Sequence, residues 1–187
     1  GIPVAVVVRP HVSADAELTP GDADGQPSLD YRLRLRAGTP VEIVRSVGAV
    51  PAIDTTVPLN LAREVADRLH AQGWSGTLEA TSRAWAQVWA ECDVEIDGDD
   101  EAQRAVRYNL FQLISAAPRF TEDASIGAKT LSGYGYRHHV FWDTESFMLP
   151  VFTFTQPDIA RNMLAYRYRR LAGARAKARE GGYDGAQ

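Results

Sequence analysis

The densest grouping of residues able to do chemistry is Gly133-Tyr134-Gly135-Tyr136-Arg137-His138-His139-Val140-Phe141-Trp142-Asp143-Thr144-Glu145. A hexose ring presents apolar C–H faces to an aromatic plane, and each of its hydroxyls can donate to a carboxylate and accept from an indole, imidazole or guanidinium hydrogen. Trp142 and Asp143, side by side, supply both halves of that recognition. Two readings of Asp143 stand together. It can bind a sugar hydroxyl, or it can cap the helix that follows by accepting from its first backbone N–H groups; one carboxylate oxygen can serve each role.

Other chemistries fit the same residues less well. Asp143 and Glu145, two apart at a helix start, point in different directions and do not form the paired carboxylates of a glycosidase. The expected partner of Glu145 is the positive end of the helix dipole or an arginine. His138 and His139 are adjacent and have no Cys or third His nearby, so no metal site is expected and His139 reads as a hydrogen-bonding or buried structural residue. Gly133-Tyr134-Gly135 lacks the strand–loop–helix context and the Gly-Lys-Ser/Thr element of a phosphate cradle. Tyr166-Arg167-Tyr168-Arg169-Arg170 is basic enough to meet an anion, but reads first as a solvated helix face with its tyrosines packed inward. Trp85 and Trp89, four apart, share one helix face and are expected to pack that helix onto a neighbour rather than to form a sugar platform.

The elements that must position this cluster begin as strands. Residues 4–8 are β-branched and apolar, and residues 31–36 alternate strictly, with Arg32, Arg34 and Arg36 on one face. Between them, Pro20-Gly21-Asp22 and Asp24-Gly25 read as a turn-rich loop, and residues 39–47 as another strand. After Pro51 the apolar period changes to about 3.6. Leu61, Val65 and Leu69 follow Asn60 as an N-cap and precede Gly73 as a C-cap, predicting a helix over 60–72; a second is predicted over 81–92. Asp97-Gly98-Asp99-Asp100 lacks the spacing and terminal Glu of a calcium loop, and instead predicts a cap for a helix carrying Val106, Leu110, Leu113 and Ile114, ending before Pro118.

Residues 117–139 form a Gly-, Ser- and Thr-rich connection, longer than the roughly 12–15 residues usual for a structureless loop and of the kind that carries function. Thr155 as N-cap, Pro157 in the first turn and Asp158 completing a capping box open a helix to about residue 170; residues 174–179 form a further helical stretch ending at Gly181-Gly182.

With 187 residues and 45% hydrophobic content, the chain can bury one good-sized core or two small ones. A net charge of -4 counts against nucleic acid and anionic membrane surfaces as partners. No apolar run approaches the roughly 18 residues of a membrane span, and the first residues lack the pattern of a secretory signal. The lone cysteine, Cys92, builds no disulfide framework and no metal spacing; it is expected to be a small buried thiol in a reducing, cytoplasmic compartment. So few strands cannot close a sandwich. The chain opens without Met inside a strand-like run, and the expectation is an internal segment of something larger.

Gly135-Tyr136-Arg137, His139-Val140-Phe141-Trp142-Asp143-Thr144-Glu145, Phe147-Met148-Leu149-Pro150, Thr155-Gln156-Pro157 and Ala160-Arg161-Asn162 occur in that order. Together they resemble glycoside hydrolase family 65, the family of trehalose, maltose and kojibiose phosphorylases, most strongly over 95–187. The resemblance implies a mixed fold, β then all-α. Residues 1–55 are then the last strands of an N-terminal β-sandwich, 56–94 linker helices, and 95–187 the first helices of a six-hairpin α/α barrel. It also implies an inverting enzyme of α-linked glucose disaccharides, using inorganic phosphate or water as nucleophile and, with phosphate, releasing β-glucose 1-phosphate. No cofactor and no metal are expected.

On the same resemblance, Trp142 and Asp143 line the donor glucose subsite, with Tyr136, Arg137 and His139 as positioning residues. The family's general acid, a glutamate, and its phosphate-binding serine and histidine belong beyond Gln187, so no catalytic residue is expected within this segment and the segment alone is expected to be inactive. Expected partners are the disaccharide, phosphate, the remainder of the polypeptide and a homodimer contact that covers apolar faces. His138 departs from the family, whose members commonly carry Gly before the motif's His, and adds bulk beside the pocket. The alternative, from a different class, is a non-catalytic carbohydrate-binding or structural helical protein.

Overall fold

In the computed structural model, which describes residues 2–186, four strands precede the helices among the described residues. The chain divides into two units, Gly1–Ala84 and Trp85–Gln187.

In the first unit, β1 (Val4–Val12) pairs antiparallel with β4 (Ile43–Pro51), and β2 (Ala16–Ala23) with β3 (Gln26–Leu33). The stretch expected to be a turn-rich loop is therefore a hairpin, with Pro20 and Gly21 inside β2. Its turn is Asp24-Gly25, both at positive φ (55° and 74°), the geometry whose twist matches the flanking strands. The Gly25 N–H donates to Asp22 Oδ1 at 2.9 Å. The alternating run 31–36 contributes only as far as Leu33, because β2 begins at Ala16, the partner of Leu33, and offers nothing for Arg34 to Arg36 to pair with. The strand expected over 39–47 falls at Ile43–Pro51, where β1 supplies partners from Val12 back to Val4.

One face of the β1–β4 ladder is covered by α1 (Pro58–Cys92). Gly48 makes this possible: a Cβ there would lie 2.1 Å from the Ala62 carbonyl oxygen, and Ala62 and Ala66 are fully buried. The other face leaves Val4, Val6 and Val8 exposed. Helix α1 starts at Pro58, whose fixed φ suits a first helical position, so Asn60 lies within the first turn rather than at the cap. Gly73 (φ 71°, ψ 175°) breaks α1 into segments 58–72 and 74–92. The second starts earlier than the expected residue 81, since 74–80 contains no proline to stop it. No helix among the described residues is long and apolar enough to cross a membrane.

The second unit is built around Cys92, Leu110, Ile114, Ile126, Phe152, Ile159, Ala160 and Met163. Trp85 and Trp89 stack with centroids 5.7 Å apart, and Trp85 lies 5.0 Å from Phe111 of α2 (Asp100–Ala116), the packing role expected of the pair. Asp99 caps α2, accepting from the Glu101 and Ala102 N–H groups at 3.1 and 2.9 Å. Arg107 forks onto Asp93 at 2.9 and 2.5 Å and holds that carboxyl below the usual carboxylate range. Cys92 is buried and its thiol donates to the Val88 carbonyl; burial, with the nearby acids Asp93 and Glu91, pushes the thiol up and away from reactive thiolate.

Helices α3 (Leu149–Thr155) and α4 (Pro157–Glu180) complete this unit. Thr155 does not cap α4: its hydroxyl donates back to the Val151 carbonyl at 2.7 Å, and Gln156 occupies the cap position without a capping bond. Residues 174–179 are not a separate helix, because α4 runs on through Gly173; a mid-helix glycine costs only about 1 kcal/mol.

Candidate functional site

The candidate cluster rests on a short pairing of loop residues. Ala128 N–H donates to the His139 carbonyl at 3.3 Å, and a Cβ on Gly127 would press on the His138 backbone at 3.2 Å, so glycine permits the two stretches to meet. Below them, the fully buried Thr144 donates through Oγ1 to the Ile126 carbonyl at 2.9 Å. Ile126 is a core residue, and this bond ties the motif to the core.

Gly135–His138 forms a tight turn in which Tyr136, Arg137 and His138 all have positive φ, at 59°, 50° and 57°. L-residues in the left-handed region each cost about 1–2 kcal/mol, so the turn stores strain. It is tied off by the Tyr136 carbonyl, which accepts from the His139 N–H at 2.9 Å and lies 2.8 Å from His139 Nδ1. A carbonyl only accepts, so Nδ1 carries the proton. His138→Gly is expected to relieve the strain at one position and raise unfolding free energy by about 0.5–1 kcal/mol, read from a denaturant midpoint. A lowered midpoint would show that the His138 edge contact with Tyr134 outweighs the strain.

The sequence-derived site residues fall as follows. Trp142 is 69% exposed and its ring lies 5.7 Å from that of Phe147, also 69% exposed. Tyr136 meets Phe141 edge-on at 5.5 Å, and His139 stacks on Phe141 at 6.1 Å, so Phe141 brings these two together. Arg137 is exposed beside them in the chain.

Asp143 has helical backbone angles (φ −60°, ψ −27°) and makes no capping bond, so the capping role is not realised. Its Oδ1 is buried and has no hydrogen-bond partner. Glu145 takes the arginine option, receiving Arg167 Nε–H on Oε1 at 2.9 Å and Nη2–H on Oε2 at 2.8 Å. Those bonds push the Arg167 guanidinium up in pKa; burial opposes them and the Asp143 charge adds to the rise. The 166–170 stretch thus departs from a solvated face with inward tyrosines. Arg167 is tied down, Tyr168 is 79% exposed, and Tyr166 lies under the Arg170 guanidinium at 3.8 Å.

Sequence reasoning did not pair Arg167 with Glu145 or Phe147 with Trp142. A salt bridge between positions 22 residues apart leaves no local pattern, although the i, i+5 spacing of Trp142 and Phe147 across the π-helical turn Thr144–Met148 was open to inspection. Among the described residues no group of three or more His, Cys, Asp or Glu could hold a metal.

Residues 107–187 match the family description "Glycosyl hydrolase family 65 central catalytic domain". Residues 107–187 belong to the central domain of glycosyl hydrolase family 65. It is 43% identical over 134 residues to a kojibiose phosphorylase of Halothermothrix orenii, covering 72% of this chain and 17% of that protein. It is 46% identical over 114 residues to a nigerose phosphorylase of Lachnoclostridium phytofermentans (61% and 15%), and 40% over 126 to an alpha,alpha-trehalose phosphorylase of Geobacillus stearothermophilus (67% and 16%). The chain therefore spans less than a fifth of the length of these relatives. A solved structure of a kojibiose phosphorylase candidate from the human microbiome shares the fold, with a TM-score of 0.78, 24% identity and coverage of 98% of this chain and 25% of that one.

Proposed function

We propose that the protein carrying this chain is an inverting phosphorylase of α-linked glucose disaccharides of the kojibiose, trehalose or maltose type, and that Trp142 and Asp143 grip the donor glucose. The observation that carries the reading is the buried, unpartnered Asp143 Oδ1 beside an exposed indole. Burying a carboxylate oxygen without a donor is unfavourable by at least about 1–3 kcal/mol, and a glucose hydroxyl removes that penalty when the carboxylate turns outward to meet it. The indole offers the apolar surface that a sugar ring covers, and Tyr136 and His139, which meet at Phe141, serve with Arg137 as positioning groups.

In this reading an acid outside residues 1–187 protonates the glycosidic oxygen while phosphate attacks the anomeric carbon from the opposite face. The bond to the leaving sugar breaks, a bond to phosphate oxygen forms, and the product is β-glucose 1-phosphate. Residues 1–55 are then the last strands of a β-sandwich, 56–94 link, and 95–187 begin an α/α barrel. The exposed Val4, Val6 and Val8 suit further cover from the same polypeptide or a second copy.

The test uses the protein as its gene encodes it, incubated with kojibiose, nigerose, trehalose and maltose with and without phosphate. Phosphate-dependent glucose 1-phosphate from any of them is expected. Free glucose released without phosphate would mean hydrolysis, and no turnover of any of the four would favour a non-catalytic binding role.

A further inference from the structure

Asp143 presents a puzzle of positioning. Its Oδ1 has no hydrogen-bond partner, so that oxygen's direction is not set by any bond of its own. Something else must hold the backbone from which Trp142 and Asp143 project.

Arg167, from α4, meets the backbone before the pair and a side chain after it. Its Nη2–H group donates to the Phe141 carbonyl at 2.7 Å and the Val140 carbonyl at 3.2 Å, just before Trp142. The same group and Nε–H fork onto both oxygens of Glu145, two residues after Asp143. One planar guanidinium therefore spans residues 140 to 145, with Thr144 pinned beneath by its bond to Ile126. Lysine, a single point charge, cannot reproduce a fork of this geometry. The partners are half-buried, with side-chain exposures of 38% for Arg167 and 25% for Glu145, so the clamp is screened less than a surface ion pair.

We propose that Arg167 is a positioning residue for sugar binding, clamping residues 140, 141 and 145 so that Asp143 faces the donor glucose. It touches no substrate itself and acts through Asp143. The proposal rests on the reading of Trp142 and Asp143 as the glucose grip.

A double-mutant cycle separates the two. Arg167→Ala, Asp143→Ala and the double variant are made in the protein as its gene encodes it, with kcat and KM for its disaccharide and thermal midpoints measured for each. Displacement of a binding group by about 1 Å can lower turnover efficiency 100-fold, so Arg167→Ala is expected to lower kcat/KM about 10- to 100-fold in the native background. In the Asp143→Ala background, the same change is expected to lower it less than about twofold, since the group it positions is gone.

Equal losses in both backgrounds overturn the clamp while leaving the glucose grip standing. A silent Asp143→Ala overturns the grip and the clamp together. If Arg167→Ala does not fold, Glu145→Gln carries the same cycle: it keeps the shape of the site and weakens the fork. Arg167→Lys should not restore kcat/KM; full rescue by lysine would show that charge alone suffices and overturn the clamp.

Discussion

Asp143→Ala in the protein as its gene encodes it is expected to lower kcat/KM for the disaccharide about 10- to 150-fold while leaving the thermal midpoint at or above that of wild type. The magnitude follows from charge-assisted hydrogen bonds to the sugar, worth about 1.5–3 kcal/mol, which stabilise the transition state relative to free enzyme and substrate. That stability is not lost follows from the local structure. Oδ1 has no protein partner and the side chain caps no helix, so alanine breaks no capping bond and no Oδ1 hydrogen bond of the fold. A structural Asp143 would show the reverse pattern, unchanged kinetics and a lowered midpoint, and steady-state kinetics alongside a melting curve distinguish the two.

The largest expected effect on stability lies at Phe152. Its side chain is fully buried among Cys92, Leu110, Ile114, Ile126, Ile159 and Met163, where α3 meets α4 and the loop that carries Ile126. Phe152→Ala removes a ring from this cluster and leaves a cavity; such truncations cost about 3–5 kcal/mol. Loss of that size is expected in the denaturant-unfolding free energy of the second unit. Because the Ile126 carbonyl also accepts from the Thr144 hydroxyl, the damage should spread to the motif proposed to bind sugar and raise KM as well. A cost below about 1 kcal/mol would mean that the cluster repacks freely, contrary to close packing.

Much of this was legible in the residues. The switch from a period of two to one near 3.6 after Pro51 marked the passage from strands to helices, and the Asp99 cap and the Trp85–Trp89 face were readable because both depend on neighbours within a turn. The hairpin was missed although Asp24-Gly25 signals one, because Pro20 and Gly21 argued against a strand that turns out to tolerate them in a two-stranded ribbon. Thr155 had the right chemistry for a cap and gave its hydroxyl to α3 instead, a choice between two nearby acceptors that sequence does not rank.

At the candidate site, the residue types pointed to sugar recognition, but the state of Asp143 did not follow from them. Capping and ligand binding use the same carboxylate, and only the folded chain shows that the backbone N–H groups leave Oδ1 without a partner. Arg167 was hidden for a different reason: it reaches Glu145 and the 140–141 carbonyls from another helix, and tertiary pairs of that kind have no local period.

The most direct measurement is a structure of the protein with glucose bound. A glucose hydroxyl within hydrogen-bond distance of Asp143 Oδ1, with the ring's C–H face toward Trp142, is the expected result. Glucose bound elsewhere, with Oδ1 still unpartnered, would contradict it.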